Sequence, residues 1–277
     1  MDCDVFGNGV AGRGAWRWSM CVDDGCHTTP TLRRSPRGLS AILIADSAAL
    51  LYALPMHVTP HPSKSPGTWH PKLGPDGQPF PIWKPSQPVL DGLEDDAALV
   101  TITPGCILPA ALRGIAFASW APPQGAAWVQ VPGQRPGLQE PTLHSRRGKT
   151  PASGLLIMEG GRVWAVSPSN QFGGYAHTFP KGKAEHGLPL QANAIKKGWE
   201  ESGVLAEIVD HVGDVERSGT VTRYYLGRRV GGHPGLDMGW ASQAVHLVPL
   251  EDADAFFATP DRTVLNLLRT KLATLAS

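Results

Sequence analysis

Short apolar runs separated by turn residues dominate the second half of the chain. Residues 153–158 and 162–166 are two such runs on either side of Glu159-Gly160-Gly161, so they predict a β-hairpin. Four later runs predict further strands, at residues 175–179, 205–209, 220–229 and 244–248. The spacing of apolar positions therefore indicates a β-sheet at the centre of this half.

Two stretches with a helical period accompany these strands. Leu190–Ser202 contains Gly198 as its only glycine and no proline, and Gly203 follows where a helix C-cap glycine belongs. Asp261 is placed to cap a final helix. The apolar positions of that helix are Val264, Leu267, Leu268, Leu272 and Leu275. Strands and helices in this order predict a mixed sheet with helices packed on it, an α/β sandwich.

The first half has a different texture. Residues 57–90 contain nine prolines, which lack a backbone donor and favour extended conformations, so we expect an irregular segment anchored by Trp69 and Trp83. Strands are predicted at residues 97–103 and 115–120. We treat residues 56–145 as a Pro-rich accessory region that covers a sheet edge or supplies a dimer contact. A homodimer is therefore one of the open alternatives.

Residues 1–55 look unlike the rest and contain three of the four cysteines. We expect a poorly ordered or artefactual extension with translation beginning at Met56, and a genuine N-terminal subdomain is the alternative. The apolar run at residues 39–54 is shorter than the ~20 residues of a membrane span. Because it also carries Asp46 and lies far from the start, neither a signal peptide nor a transmembrane helix is predicted.

Composition narrows the classes of protein. Of the 277 residues, 42 % are hydrophobic and 18 % are charged, which is enough apolar material for a packed core. The formal net charge of +1 gives no indication of a nucleic-acid or membrane partner. The few cysteines, absent from the second half, favour a reduced, cytoplasmic protein.

Candidate chemistry begins at Gly182, which opens a predicted loop before the first predicted helix. Near the end of that helix, Glu200 and Glu201 precede Gly203 and Val204. This spacing resembles the Nudix box, G-x5-E-x7-R-E-U-x-E-E-x-G-U, in which U is a bulky aliphatic residue. The hairpin upstream also fits that resemblance.

The resemblance covers residues 146–277 and implies a Nudix-type α/β/α sandwich with a mixed sheet. It also implies a hydrolase that uses Mg²⁺ or Mn²⁺ to cut a phosphoanhydride bond in a nucleoside diphosphate linked to another group. A small-molecule nucleotide is thus the expected partner. The chemistry is reasonable because a hard cation binds carboxylate oxygens, neutralises phosphate charge and activates water.

The residues that the resemblance implicates have four roles. The catalytic candidates are Glu200 and Glu201, the metal ligands are Glu200, Glu201 and Glu185, the substrate contacts are Lys181, Lys183 and Arg223, and the structural glycines are Gly182 and Gly203. A further metal ligand is expected from a later loop, and the sequence leaves Glu216, Asp237 and Glu251 open. Trp240 or Tyr224 is a candidate for stacking on a nucleobase, with packing under a loop as the alternative.

Four positions depart from the box. They are Leu188 for the first glutamate, Lys196 for the arginine, Lys197 for the first closing glutamate and Gly198 for the bulky aliphatic residue. Lys197 matters most, because an ammonium there faces Glu200 at i+3 and Glu201 at i+4 and repels a cation. The alternative prediction is therefore a catalytically impaired Nudix fold that binds a nucleotide or a protein partner.

Overall fold

The computed structural model describes residues 65–144 and 148–277, which belong to one compact unit. The expectations for residues 1–55, including a start at Met56, lie outside these ranges. Within the described ranges, no helix combines the length and the apolar character that crossing a membrane requires.

The described elements follow one another in a regular order. The strands are β1 (Thr68–Trp69), β2 (Pro81–Ile82), β3 (Val100–Ile102), β4 (Ala111–Leu112), β5 (Ile115–Ala116), β6 (Thr150–Glu159), β7 (Arg162–Pro168), β8 (Lys181–Lys183), β9 (Val204–Glu216), β10 (Thr220–Gly232) and β11 (Ser242–Pro249). The α-helices are α1 (Leu190–Ser202), α2 (Pro234–Asp237), α3 (Ala253–Phe256) and α4 (Thr259–Ala276), and 3₁₀ turns lie at Gly125–Gln130 and Ser169–Gly174.

The main sheet is mixed and has the strand order β3-β11-β7-β6-β10-β9. β10 runs parallel to β6, whereas the other neighbours in this order are antiparallel. β8 also pairs with β6, with Lys183 opposite Ala152 and Lys181 opposite Gly154. Because β7 pairs only with the end of β6, β8 occupies the first half of that edge and lies beside α1.

Helices cover both faces of this sheet. α1 packs through Ile195 on the face that carries Leu155, and α4 packs through Leu268 on the face that carries Leu156. The two leucines are adjacent in β6 and point to opposite faces, as strand geometry requires. Burial of each such side chain stabilises the fold by roughly 1.5–3 kcal/mol. The predicted α/β/α sandwich with a mixed sheet is confirmed.

The first predicted helix begins and ends where its sequence indicates. α1 ends at Ser202, and Gly203 adopts a left-handed conformation with φ 70° while its N–H donates to Trp199 O at 2.7 Å. A Cβ at Gly203 would lie 2.7 Å from the backbone nitrogen of Met238. Glycine is required here by both the conformation and the space.

The strand predicted at residues 175–179 is wrong. These residues follow the 3₁₀ turns Ser169–Gly174 and form a bend with one isolated bridge, between Thr178 and Val166. The bend at residues 176–177 interrupts the extended conformation, so only Thr178 pairs with a neighbouring strand. The strand expected at 115–120 is also shorter than predicted and covers only Ile115–Ala116.

Two acidic residues lie in other surroundings than predicted. Glu216 ends the long strand β9, where it pairs with Val221 of β10, and does not lie in a turn. Asp261 does not cap α4, because the helix already begins at Thr259. Its buried carboxylate accepts a hydrogen bond from Arg217, so an interior ion pair replaces the expected cap.

The Pro-rich region contributes to the sheet. β3 pairs with β11, so a strand of this region covers one edge of the main sheet. β1 and β2 form a separate antiparallel pair, and we call residues 68–82 the ribbon. The prediction that Trp69 and Trp83 anchor this segment is wrong, because their side chains are 55 % and 49 % exposed. His70 and Ile82 are the buried residues of the ribbon, and the ring of His70 bonds Ser242 O in the body of the fold.

Candidate active site

A cavity of about 770 Å³ lies beside β8 and the end of α1. Its charged lining residues are Lys181, Lys183, Glu185, Lys197 and Glu201. Its aromatic lining residues are Phe80, Phe172, Tyr175 and Trp240. The volume falls within the range of ~300–1,000 Å³ that is usual for small-molecule sites. The ribbon, the Ser169–Gly174 turns and the box therefore share one cavity.

Glu201 reaches this cavity from the last turn of α1. The backbone N–H of Lys181 donates to Glu201 Oε2 at 3.1 Å, which holds the carboxylate against β8. Burial raises the pKa of Glu201 to about 7, against the opposing charges of Lys181 and Lys197. A carboxyl group with this pKa exchanges its proton near neutral pH, which suits a general base.

The two lysines of β8 have different surroundings. Lys181 Nζ donates to Thr178 Oγ1 at 2.5 Å and to Phe179 O at 3.4 Å, and burial lowers the pKa of Lys181. Lys183 is exposed and lies two residues further along the strand, on the same face. Both side chains bring positive charge to the cavity.

Glu185, Lys196, Lys197 and Glu200 form what we call the Glu–Lys cluster. Lys196 Nζ lies 2.6 Å from both Glu185 Oε1 and Glu200 Oε1. Lys197 Nζ lies 2.7 Å from Glu185 Oε1 and 2.8 Å from Glu200 Oε2. Burial acts to raise the pKa of Glu185, but hydrogen bonds from both lysines hold that pKa below its usual value. Each ammonium therefore bridges the same two carboxylates.

The predicted contact between Lys197 and Glu200 is confirmed, and its other partner is unexpected. That partner is Glu185 from the loop, whereas Glu201 turns to the N–H of Lys181. Burial acts to lower the pKa of Lys197, but the hydrogen bonds to Glu185 and Glu200 raise it above its usual value. The ammonium is thus held firmly in its charged form.

The Glu–Lys cluster does not fit a divalent cation. An ion between Glu185 and Glu200 would have to displace two ammonium groups and remain beside their charge. Elsewhere in residues 65–144 and 148–277, no group of three or more His, Cys, Asp or Glu side chains is arranged to hold a metal ion. Two of the three carboxylates expected to bind Mg²⁺ or Mn²⁺, Glu185 and Glu200, are therefore already neutralised by lysines of the chain itself, and Glu201 stands apart from them.

Two glycines of the box have a packing explanation. A Cβ at Gly182 would lie 2.7 Å from Lys197 Cδ, so the glycine leaves room for the lysine stem. A Cβ at Gly198 would lie 2.8 Å from Leu155 Cδ1, so the glycine lets α1 approach β6 closely. Leu188, the departure at the first glutamate position, packs against the core below α1.

Arg223 does not line the cavity. Its buried guanidinium donates to Asp214 Oδ2 at 2.8 Å and to Glu140 Oε2 at 3.0 Å. Two further bonds run from Nε to Asp214 Oδ1 at 2.8 Å and from Nη2 to the carbonyl oxygen of Pro141 at 2.7 Å. The structure therefore places Arg223, predicted as a substrate contact, in a buried group of ion pairs that joins β9, β10 and the accessory region.

The later carboxylates do not complete the site either. The described lining of the cavity includes none of Glu216, Asp237 and Glu251. Asp237 is satisfied by the fold, because Ser119 Oγ donates to its Oδ1 at 2.9 Å and the N–H of Trp120 donates to its Oδ2 at 3.1 Å. The site consists instead of groups from the box and from the aromatic wall.

Of the two predicted stacking residues, only Trp240 lines the cavity. Tyr224 is buried, and its hydroxyl accepts a hydrogen bond from Arg217 Nη2 at 2.9 Å. Trp240 packs against Phe80, with ring centroids 5.1 Å apart. Phe80 is not predictable as a cavity residue from the sequence, because it lies in the Pro-rich region and neither a motif nor a period marks it.

Comparison with known proteins matches residues 148–268 to the family model of the NUDIX domain. No curated protein matches the chain. Among solved structures, a NUDIX hydrolase from Nitrosomonas europaea is 15 % identical, covering 46 % of this chain and 90 % of that one, with a TM-score of 0.40. A C. elegans Ap4A hydrolase in a binary complex is 23 % identical over 46 % and 98 % of the two chains, with a TM-score of 0.37. An ADP-ribose pyrophosphatase from Streptococcus suis is 16 % identical over 44 % and 91 %, with a TM-score of 0.36.

Proposed function

Because the chain belongs to the Nudix hydrolase family through residues 148–268, we propose that it hydrolyses a phosphoanhydride bond in a nucleoside diphosphate linked to another group. The family as a whole acts on nucleoside diphosphate derivatives and generally uses divalent metal ions. One observation carries the proposal for this chain: Glu201 shares a cavity with Lys181, Lys183 and Lys197 and with an aromatic wall.

The cavity holds the groups that this reaction needs. A water oxygen attacks one phosphorus, the anhydride P–O bond breaks, and the departing phosphate takes the bonding electrons. Glu201 accepts the proton that the water loses, which a pKa of about 7 permits at neutral pH. The ammonium groups of Lys183 and Lys197 offset the negative charge of the phosphates.

The proposed reaction includes no step at a divalent ion, because the Glu–Lys cluster does not fit one. We propose that lysine charge supplies the neutralisation that a metal ion supplies elsewhere in the family. Dependence on Mg²⁺ or Mn²⁺, which the resemblance implied, is therefore the property in which this chain is expected to differ.

Nucleotide binding without turnover is the second candidate function. It is favoured by the contact of 2.8 Å between Lys197 Nζ and Glu200 Oε2, which removes a box carboxylate from chemistry. In that case the cavity would retain its cationic and aromatic groups, and Glu201 would only help to shape it.

Product release and calorimetric binding, measured on the full chain with a panel of nucleoside diphosphate derivatives, separate the two functions. Turnover of at least one compound supports the hydrolase. Binding without turnover supports the second candidate. A folded protein that neither binds nor cleaves any compound of the panel overturns both.

Three properties predicted from the sequence stay predictions beside this proposal. A cytoplasmic location rests on the cysteine content, a homodimer rests on the accessory region, and a boundary between residues 145 and 146 rests on the change in texture. Cell fractionation, gel filtration and limited proteolysis test them in that order.

A further inference from the structure

The aromatic wall of the cavity includes a segment that lies outside the box. Phe80, in the ribbon, packs against Trp240 with ring centroids 5.1 Å apart and planes inclined by 51°. Both rings line the cavity that also contains Lys181, Lys183 and Lys197. The Pro-rich region thus adds an aromatic face to a cationic site.

His70 fixes one side of Phe80. The backbone N–H of His70 donates to Phe80 O at 2.8 Å, and its ring Nε2 donates to Ser242 O at 3.1 Å. Ser242 lies two residues after Trp240 in the chain. One buried histidine therefore connects the ribbon to the segment that carries Trp240.

Asn170 fixes the other side. Its Nδ2 donates to Pro81 O at 2.9 Å, and its Oδ1 accepts from the Trp83 N–H at 3.0 Å, as a neighbouring strand would. Asn170 has φ 55° and ψ 28°, a left-handed conformation that asparagine tolerates better than most residues. The preceding Ser169 Oγ donates to Trp240 O at 2.7 Å. Two adjacent residues thus hold the backbone segments that carry the two aromatic side chains.

We propose that Phe80 and Trp240 form a subsite that stacks on the nucleobase of a nucleoside diphosphate, and that Asn170 is its positioning residue. The inference rests on the proposed function, since the lysines of the same cavity would receive the phosphates of that ligand. An aromatic side chain can stack on any nucleobase, because every base has a planar π face. The ammonium groups of the lysines complement the negative charge of a diphosphate. A ligand with both parts matches the two kinds of lining.

The competing explanation is that the contact between Phe80 and Trp240 only closes the fold. The two explanations differ in ligand specificity. A stacking subsite discriminates between a nucleotide and a phosphate compound without a base, whereas a purely structural contact affects both ligands equally.

The first test compares ADP with inorganic pyrophosphate as calorimetric ligands of the full chain. Phe80→Leu keeps the apolar bulk and removes the aromatic face, so ADP should bind at least about 10-fold more weakly. Pyrophosphate, which has no base, should bind the variant as it binds the wild type. Unchanged ADP affinity in this variant would overturn the subsite.

The second test addresses Asn170. Asn170→Gly permits the left-handed backbone and removes the hydrogen bonds to Pro81 in the ribbon and to Trp83 directly after it, so ADP binding should weaken by roughly 2–10-fold with pyrophosphate binding unchanged. Gln171→Gly is the matched control, because Gln171 also has a positive φ of 56° and its substitution leaves the contacts of Asn170 in place. The control should bind ADP as the wild type does.

The outcomes distinguish the subsite from the function on which it rests. Wild-type binding of ADP with no loss in Phe80→Leu overturns the subsite and leaves the proposed function standing. Equal loss of ADP and pyrophosphate in Phe80→Leu also overturns it, because the change then reports on the fold. Wild-type protein that binds neither ligand overturns the proposed function together with the subsite.

Discussion

Glu200 and Glu201 are adjacent in sequence but belong to two different regions of the molecule. Glu200 forms ion pairs with Lys196 and Lys197, whereas Glu201 accepts a hydrogen bond from the backbone N–H of Lys181 and lines the cavity. Consecutive residues of an α-helix point about 100° apart, so each carboxylate meets different neighbours. The same helix turn thus holds one neutralised carboxylate and one that faces a cavity.

The difference between the two carboxylates shows which neighbours are affected by Lys197, the lysine that stands at a glutamate position of the box. Lys197 binds Glu200 one turn along α1 and Glu185 in the preceding loop. It leaves Glu201 in place, because β8 already holds that carboxylate through a backbone hydrogen bond. The box can therefore lose its arrangement for a cation and still keep a carboxylate in the cavity.

The largest effect is expected when each of the two glutamates is replaced by glutamine in a separate variant. Glu201→Gln keeps an acceptor for the N–H of Lys181 but cannot take a proton, so turnover should fall by ~10²–10⁴-fold. Glu200→Gln should change turnover much less, because Glu200 meets lysines and not the cavity. Steady-state product release measures both variants, and ligand binding controls for folding. Equal losses would erase the distinction between the two carboxylates.

Lys197→Glu should create the cation site that the wild type lacks. The change removes an ammonium from between two carboxylates and adds a third, so Mn²⁺ affinity should rise by at least ~100-fold. Calorimetric titration with Mn²⁺ measures it. Lys183→Glu is the matched control, since it makes the same charge change on the exposed lysine of β8. Wild-type protein that binds Mn²⁺ as tightly as Lys197→Glu would contradict the prediction.

The carboxyl of Glu201, which is held against β8, should also influence stability as pH changes. Its pKa is about 7 in the folded protein against the usual 4.5, so between these values the folded state keeps a proton that the unfolded state has lost. The stability that this group contributes is complete below its unfolded pKa and is lost as pH rises through 7, by about 1–3 kcal/mol.

The glutamine of Glu201→Gln does not titrate. As pH rises from 4.5 to about 7, the free energy of unfolding of the wild type should therefore fall relative to that of the variant. Urea titrations of both proteins at several pH values measure the difference. Curves that stay parallel from acid to mildly alkaline pH would show that the carboxyl is not buried.

The smallest effect is expected for the stability of the Glu–Lys cluster. Glu200→Gln removes ion pairs from a partly exposed carboxylate, so the free energy of unfolding should fall by ~0.3–1 kcal/mol at low salt and by less at high salt. Denaturant midpoints at two salt concentrations measure it. A loss that does not respond to salt would indicate packing and not charge as its source.

Local features of the chain were predictable where short-range physics decides them. The bounds of α1 follow from the apolar period and from Gly203, and the contact of Lys197 with Glu200 follows from the i,i+3 spacing on a helix. The hairpin of β6 and β7 follows in the same way from two apolar runs around a glycine turn.

Features that depend on tertiary register were not predictable. Arg223 meets Asp214 only because β9 and β10 pair in one particular register. Phe80 contacts Trp240 only because His70 attaches the ribbon to Ser242. The spacing of apolar residues within either segment does not indicate that contact. Long-range pairing therefore decided which predicted residues reached the cavity.

Turnover in the presence of a chelator tests most directly whether lysine charge serves in this cavity where a metal ion serves elsewhere in the family. The full chain would be assayed on its best substrate in EDTA and in Mg²⁺ or Mn²⁺, with Glu201→Gln beside it. We predict the same rate in EDTA as with metal, and its loss in Glu201→Gln. Turnover that appears only with added metal and vanishes in EDTA would contradict the account.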